Sequence, residues 1–329
     1  MSTTVTSTET REDTSPLSGH VPTAREVKKA KKLQAGGSRL GATAFILPAY
    51  FFYAGFLLVP LLLTFLLSFT SWNGVGYNNI PLAGWANYMR LAIDPVFMTS
   101  LWNNGVFLAT SMVLKIGLAF ALALMLRREF PLAGFFRATF IIPSILSMIV
   151  VGVILKFLFH PSNGIINPLL QSVGLGQFVG AWLGDPSRAL PILIGLELWL
   201  GFGLSLFVFL AAMSSLPQDV FEAARVDGAK PWQETWYVTI PLLAPTFRLV
   251  ALLVAIDSLK VFGTVYVATS GGPNHATEVV ATWAFFQAFT ANQVGYGSAI
   301  MSVLIVATLI LAVFYARSIH KHQKEAERR

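Results

Sequence analysis

Apolar residues in this chain run in long blocks rather than in short alternations. Six blocks reach the roughly 20 apolar residues that a helix needs to cross a bilayer core. They are approximately Ala42 to Ser71, Trp102 to Leu126, Ala138 to Phe159, Leu190 to Met213, Phe247 to Thr269 and Ser298 to Ser318. A seventh, Val279 to Phe289, is only about half a span and predicts an external interfacial or re-entrant helix. The pattern therefore predicts an all-α integral membrane protein with six transmembrane helices. Ahead of the first block, residues 1–37 are rich in Ser, Thr, Lys and Glu, too poor in apolar surface to fold alone. The expected organisation is a disordered basic tail over 1–37, a transmembrane domain over 38–320 and a short basic tail over 321–329. Within the first tail, Arg25, Lys28, Lys29, Lys31 and Lys32 suit either a short basic helix on lipid headgroups or a plain solvated charge run. The first apolar block is too long for a signal-peptide core, so cleavage is not expected.

Composition agrees with the pattern: 55% of residues are hydrophobic and 12% charged, too little polar surface to clothe a soluble domain. No cysteine is present, which excludes disulfides, thiolate metal sites and a catalytic thiol. The net charge of +7 acquires meaning from its placement. With the N-terminus inside, eighteen of the 23 Lys and Arg fall in inner segments, among them Arg127, Arg128, Arg137, Arg225, Lys230, Arg248 and Arg317. Only Arg90 and Arg188 fall in outer loops, and Lys115, Lys156 and Lys260 fall in spans. Positive residues are retained on the cytoplasmic side, so both termini are expected there. A membrane thus accounts for the basic balance, and no nucleic-acid partner is implied.

The connection between the fourth and fifth blocks, residues 214–245, is about thirty residues long and keeps a helical pattern. Pro217 suits the first turn of a helix and Asp219 its positive N-terminal dipole. Phe221, Ala224 and Arg225 follow at helical spacing, and Gly228 permits the chain to turn out. A second short helix is expected from about Pro231, interrupted by Pro241 and Pro245.

Glu222-Ala223-Ala224, three residues, Gly228, nine residues and then Val238-Thr239-Ile240-Pro241 resembles the EAA loop of ABC importer permeases. Ser71-Trp72-Asn73-Gly74, Gly84 with Asn87-Tyr88, Arg137 before Ile142-Pro143, and Thr269-Ser270-Gly271-Gly272-Pro273 look like the carbohydrate, maltose-transporter branch, without its large external insertion. The resemblance covers about residues 42–318. It implies the ABC type I importer permease architecture, with a cytoplasmic coupling helix between spans four and five. Glu222 would then pair with basic groups of an ATPase, Ala223 and Ala224 would allow close approach, and Gly228 would form the turn. The implied partners are a second, related permease, two ABC ATPase subunits that hold ATP and Mg, and an extracytoplasmic solute-binding protein that contacts outer loops including Gly271, Gly272 and Pro273. The implied location is a bacterial or archaeal cell membrane. Disaccharide, oligosaccharide and glycerol-phosphate importers share these motifs.

Charged groups inside spans cost roughly 2.5 to 3.5 kcal/mol by insertion scales, so each marks a partner, water or a function. Glu197 precedes Trp199-Leu200-Gly201, which resembles the stretch lining the sugar site of maltose-type permeases; packing of Trp199 on lipid, with Gly201 and Gly203 at a helix crossing, explains it equally. Asp257 and Lys260 are three apart and are expected to neutralise each other. Ser258, Val261 and Gly263 stand where the resembled permeases carry polar side chains toward the path. Lys115 is mid-span and needs a partner, whereas Lys156 can snorkel from an outer end. Pro143 is expected to kink the third span.

Rival readings have less support. The histidines, at 20, 160, 275, 320 and 322, lie in tails and loops, and no His-Glu-x-x-His or Walker A pattern occurs. No catalytic residue, metal site or cofactor is therefore expected in this chain, and ATP hydrolysis falls to a partner. An ion-coupled transporter or channel is the alternative, and would be expected to carry an internal repeat.

Overall fold

The structure of the protein is a computed structural model that describes residues 39–76, 80–127 and 130–326, with side chains from Ile46 to Arg317. The predicted tail over 1–37, Arg128 and the last three residues lie outside the described residues. The chain falls into two units, Met1–Leu61 and Leu62–Arg329. In the first, the described part is helical from Arg39, with a π-helical turn at Ala54–Leu58.

Among the described residues, five helices are long and apolar enough to cross a membrane: Ile46–Ser68, Pro95–Leu126, Pro186–Ser214, Ala244–Ala268 and Val294–Arg317. A bent pair, Ala133–Ile145 and Met148–Leu158, makes the sixth if it counts as one span. All six predicted blocks thus fall on helices. The third departs from expectation, because its halves meet at 92°. Pro143 sits in the last turn of the first half and cannot donate to the carbonyl one turn back. The helix runs two residues past it, and Leu146 and Ser147 then adopt extended backbone. The result is a break rather than a kink.

Span four, Pro186–Ser214, has half of its most apolar stretch buried, more than any other span. Gly203 permits this, since a Cβ there would collide with the Phe140 carbonyl and the Ser144 hydroxyl of the bent pair. Small residues let membrane helices approach where lipid supplies no hydrophobic drive. Three apolar clusters follow along the helices. One joins Ala119, Phe202, Phe209 and Val250, a second Phe107, Val151, Leu193 and Val265, and a third Phe97, Trp283, Tyr296 and Ile300. Outside them, Val113, Leu118, Ile149, Leu204, Ile310 and Phe314 are exposed, a surface that suits lipid rather than water.

The predicted half-span is a helix, Val280–Phe285, continued by a π-helical turn, Phe286–Thr290. Its first turns are buried in the third cluster, so it is not a helix lying on an interface. Its place is fixed largely by one carboxylate. Asp94 caps span two: Oδ1 accepts from the Val96 and Phe97 N–H groups at 2.9 and 3.1 Å, and Pro95 opens the helix. Its Oδ2 accepts from Trp283 Nε1 at 3.0 Å and from the Tyr296 hydroxyl. Asp185 and Pro186 start span four by the same device, since an N-cap carboxylate fills orphan donors and proline has no N–H to lose.

Partial burial pushes the Asp94 carboxyl up, but the bonds from Tyr296, Trp283 and the two backbone groups outweigh it and hold the pKa below the ordinary 3.8. A depressed carboxylate stabilises fully above its unfolded value and loses that contribution as pH falls through its folded one. Acidification below pH 3.8 is therefore expected to loosen span two from the half-span and span six. Asp94→Asn presents an amide donor to two donors and should cost about 1 to 3 kcal/mol, read as a lower thermal midpoint in detergent at neutral pH. An unchanged midpoint would contradict this role.

Candidate coupling segment and transmembrane polar cluster

The segment after span four folds as a helix, Gln218–Val226, with Pro217 at its N-cap rather than in its first turn and Asp219 in that turn. Phe221 is buried, while Glu222 and Ala223 are exposed and Val226 is 88% exposed. Exposed small and apolar residues on the face opposite Phe221 leave that face open to a partner. Gly228, at φ +80°, closes the helix: its N–H donates to the Arg225 carbonyl at 3.0 Å and the Ala229 N–H to the Ala224 carbonyl at 2.9 Å. This is a Schellman cap. Nothing lies within 4 Å of where a Gly228 Cβ would be, so the need for glycine is set by backbone conformation alone.

Arg225 ties the helix to the next element through Glu234 at 3.1 Å, and that bond raises the guanidinium pKa. The second element begins at Pro231 as expected. It runs through a π-helical turn, Glu234–Thr239, and Pro241 opens a last turn at Ile240–Leu242. Pro241 and Pro245 sit in first turns, where proline is tolerated, so they reset the helix without a long interruption.

Inside the spans the structure corrects the expected charge pairing. Asp257 pairs not with Lys260 but with Lys115, across from span two, at 2.9 Å. The Lys115 side chain is 2% exposed and that of Asp257 is 46% exposed. A π-helical turn, Ser111–Lys115, precedes this lysine, and such bulges re-aim side chains at functional positions. Gly201 makes the space: a Cβ there would overlap the Lys115 ammonium. Of the two expectations for Gly201, a sugar contact or close packing, the structure shows a close approach, by the Lys115 side chain.

Glu197 is 4% exposed and accepts from the Thr264 hydroxyl. Trp199 is half exposed, Leu200 is buried, and the buried Ser258 hydroxyl returns to the Val254 carbonyl at 2.7 Å. Ser258 therefore has its donor occupied within its own helix. Span five breaks at Lys260–Phe262, between Ala244–Leu259 and Gly263–Ala268. Lys115, Asp257 and Lys260 line a cavity of about 320 Å³ with Ser144, Gly201 and Ser205, and the buried Ser144 hydroxyl has no partner among the described residues.

The turn after span five, where the sequence picks out Gly271, Gly272 and Pro273, is held by residues that sequence reasoning missed, Glu278, Thr277, Asn103 and Asn104. Gly271, at φ +81°, covers the Glu278 carboxylate, and a Cβ there would overlap it. Glu278 pairs with His275 at 2.9 Å. Thr277 donates to the Gly272 carbonyl at 2.6 Å and bonds Thr269 at 2.8 Å. From span two, Asn103 donates to the Ala276 and Glu278 carbonyls, while Asn104 bridges the Leu259 carbonyl and the Val280 N–H. Two adjacent asparagines in an apolar block were the available signal, because polar groups at membrane depth need partners. Among the described residues no group of three or more His, Asp and Glu is placed to hold a metal.

Apolar spans, a charge pair held across them and an exposed capped helix pair at their end define a multi-pass membrane component. Residues 115–323 match the family of the binding-protein-dependent transport system inner membrane component, and the chain belongs to that family. It is 32% identical over 271 residues to a probable ABC transporter permease protein, YurN, of Bacillus subtilis, covering 82% of this chain and 92% of that one. It is 31% identical over 272 residues to the multiple sugar-binding transport system permease protein MsmF of Streptococcus mutans, covering 78% and 91%. Its fold is that of a chain in a bacterial ABC transporter involved in the import of the acidic polysaccharide alginate, with TM-score 0.74, 21% identity and coverage of 90% and 99%.

Removing one partner of a buried pair strands the other. Asp257→Asn and Lys115→Met are each expected to destabilise, by about 2 kcal/mol rather than the 3 to 5 of a fully buried pair, because Asp257 meets solvent. Gly201→Ala should cost less than Lys115→Met, because a Cβ there meets only the far end of the flexible lysine side chain, which can shift. Additive effects in the double variant, measured by thermal unfolding, would refute the pairing.

Proposed function

We propose that this chain is one of two related permease subunits of an importer for a sugar or oligosaccharide. In this reading both termini are cytoplasmic and two separate ABC ATPases bind ATP and Mg. A loaded extracytoplasmic solute-binding protein docks on outer loops that include Gly271, Gly272 and Pro273. The chain resides in a bacterial or archaeal cell membrane. The observation that carries the reading is the exposed helix bearing Glu222, Ala223 and Ala224, ended by the Gly228 cap and braced by Arg225–Glu234. A short rigid helix with an open face is what an ATPase cleft needs to grip, and Glu222 offers the charge. The bias of Lys and Arg toward that side supports the orientation.

The sugar class is supported by the relative named for multiple sugars and by the structural neighbour from an alginate importer. The path is assigned to the broken part of span five and the adjoining face of span four: Glu197, Trp199, Leu200, Gly201, Asp257, Ser258 and Lys260. Within that set Asp257, Lys260 and Trp199 are open to contact, whereas Glu197, Leu200, Gly201 and Ser258 support them. Discontinuous helices at mid-membrane are a common setting for transport sites.

The test is reconstitution of the assembled importer with its ATPase and binding protein. Sugar uptake is expected only with ATP hydrolysis; uptake driven by an ion gradient alone would favour the ion-coupled transporter or channel. Gly228→Ala places a side chain in the left-handed region at about 1 to 2 kcal/mol. It should lower uptake per ATP hydrolysed while leaving the protein in the membrane. Gly228→Trp is expected to abolish coupling, and wild-type uptake by it would refute the docking role.

A further inference from the structure

A cavity of about 670 Å³ does not coincide with the proposed path. It lies where the end of span two, the start of the bent pair and the end of span four meet the inner side of the helix Gln218–Val226. Its polar part is formed by Arg127, Arg137 and Arg225, with Glu222 the only carboxylate lining it. Arg225 is already matched by Glu234. Among the described residues neither Arg127 nor Arg137 has a carboxylate partner. Arg127 stacks over the Phe221 ring at 5.1 Å. Arg137 gives one Nη group to the Leu126 carbonyl at 2.6 Å, and its Nε is buried with no acceptor. A buried guanidinium N–H without an acceptor is costly and points to an anion absent from the polypeptide.

The rest of the lining indicates which anion. Ile141, Phe207 and Leu210 continue the cavity along the spans, and Phe207 is exposed. A groove with unpaired guanidinium groups at its mouth and an apolar wall running into the spans matches a molecule with a phosphate at one end and an acyl chain at the other. Basic pockets between membrane helices bind anionic headgroups in this way, and arginine suits phosphate through its forked donors. We infer that this groove is a binding site for an anionic phospholipid, which is held between spans two to four and the back of the helix Gln218–Val226. Its phosphate meets Arg127 and Arg137 and a chain lies on Phe207 and Leu210. Such a lipid would fill the space behind the exposed face of that helix and stiffen its seat. The inference goes beyond the transport reading and shares with it only that the helices cross a bilayer.

Native mass spectrometry of the full importer complex tests it, with dioleoylphosphatidylglycerol or dioleoylphosphatidylcholine added in detergent. The glycerol lipid is expected to be retained over the choline lipid by at least about tenfold. That preference should vanish in Arg127→Gln/Arg137→Gln and persist in Arg188→Gln, whose arginine lies elsewhere. If the double variant fails to assemble, Arg127→Gln alone should reduce the preference severalfold. Equal retention of the two lipids, or an undiminished preference in the arginine variants, overturns the site. Full displacement by millimolar inorganic phosphate also overturns it, because a free anion would then be the ligand. No arm reads uptake, so failure here is separable from failure of the importer assignment.

Discussion

An ammonium group among apolar helices has no water to turn to, and the folding of the central spans is organised around meeting that need. Lys115 reaches across to Asp257, and three further features follow from the reach. A π-helical turn aims the lysine, a glycine on span four clears its way, and the carboxylate stands one turn before the break in span five. The pair thereby ties spans two, four and five into one unit. Its two ends differ, since Lys115 is sealed and Asp257 is half open. Movement of span five changes the environment of the carboxylate first.

The end of the spans that carries Asp94 is held by a different chemistry that serves the same constraint. Asp94 takes donors from its own helix, from the half-span and from span six, while Asn103 and Asn104 hold the turn around Gly271 through backbone groups. Irregular backbone persists at such depth only where side chains complete its hydrogen bonds. The 269–278 turn is consequently a preformed surface. At the other end the helix Gln218–Val226 is capped at Gly228, tied by Arg225 to Glu234 and seated through Phe221, and leaves one face exposed.

Much of this was legible in the sequence because the signals are long or have fixed spacing. Every apolar block became helix, and Gly228 forms the expected turn because a Schellman cap is local. What was not legible depends on angles between helices. The Asp257–Lys260 spacing is compatible with an ion pair, yet Lys115 is better placed once span two packs beside span five. Pro143 announced a disturbance, but its size, 92°, depends on extended backbone at Leu146 and Ser147 that no propensity rule requires. At Gly201 a sugar contact and a close packing approach were equally open, because a glycine reports only that something approaches, not what.

Because the Lys115 ammonium occupies the space a Cβ would take at Gly201, the two positions are sterically coupled. The overlap falls on the far end of a flexible side chain, so a small residue at 201 is met by a shift of the lysine, whereas a bulky one presses the ammonium away from Asp257. Size at position 201 therefore sets the reach left to the lysine, and through it how closely span two is drawn to span five.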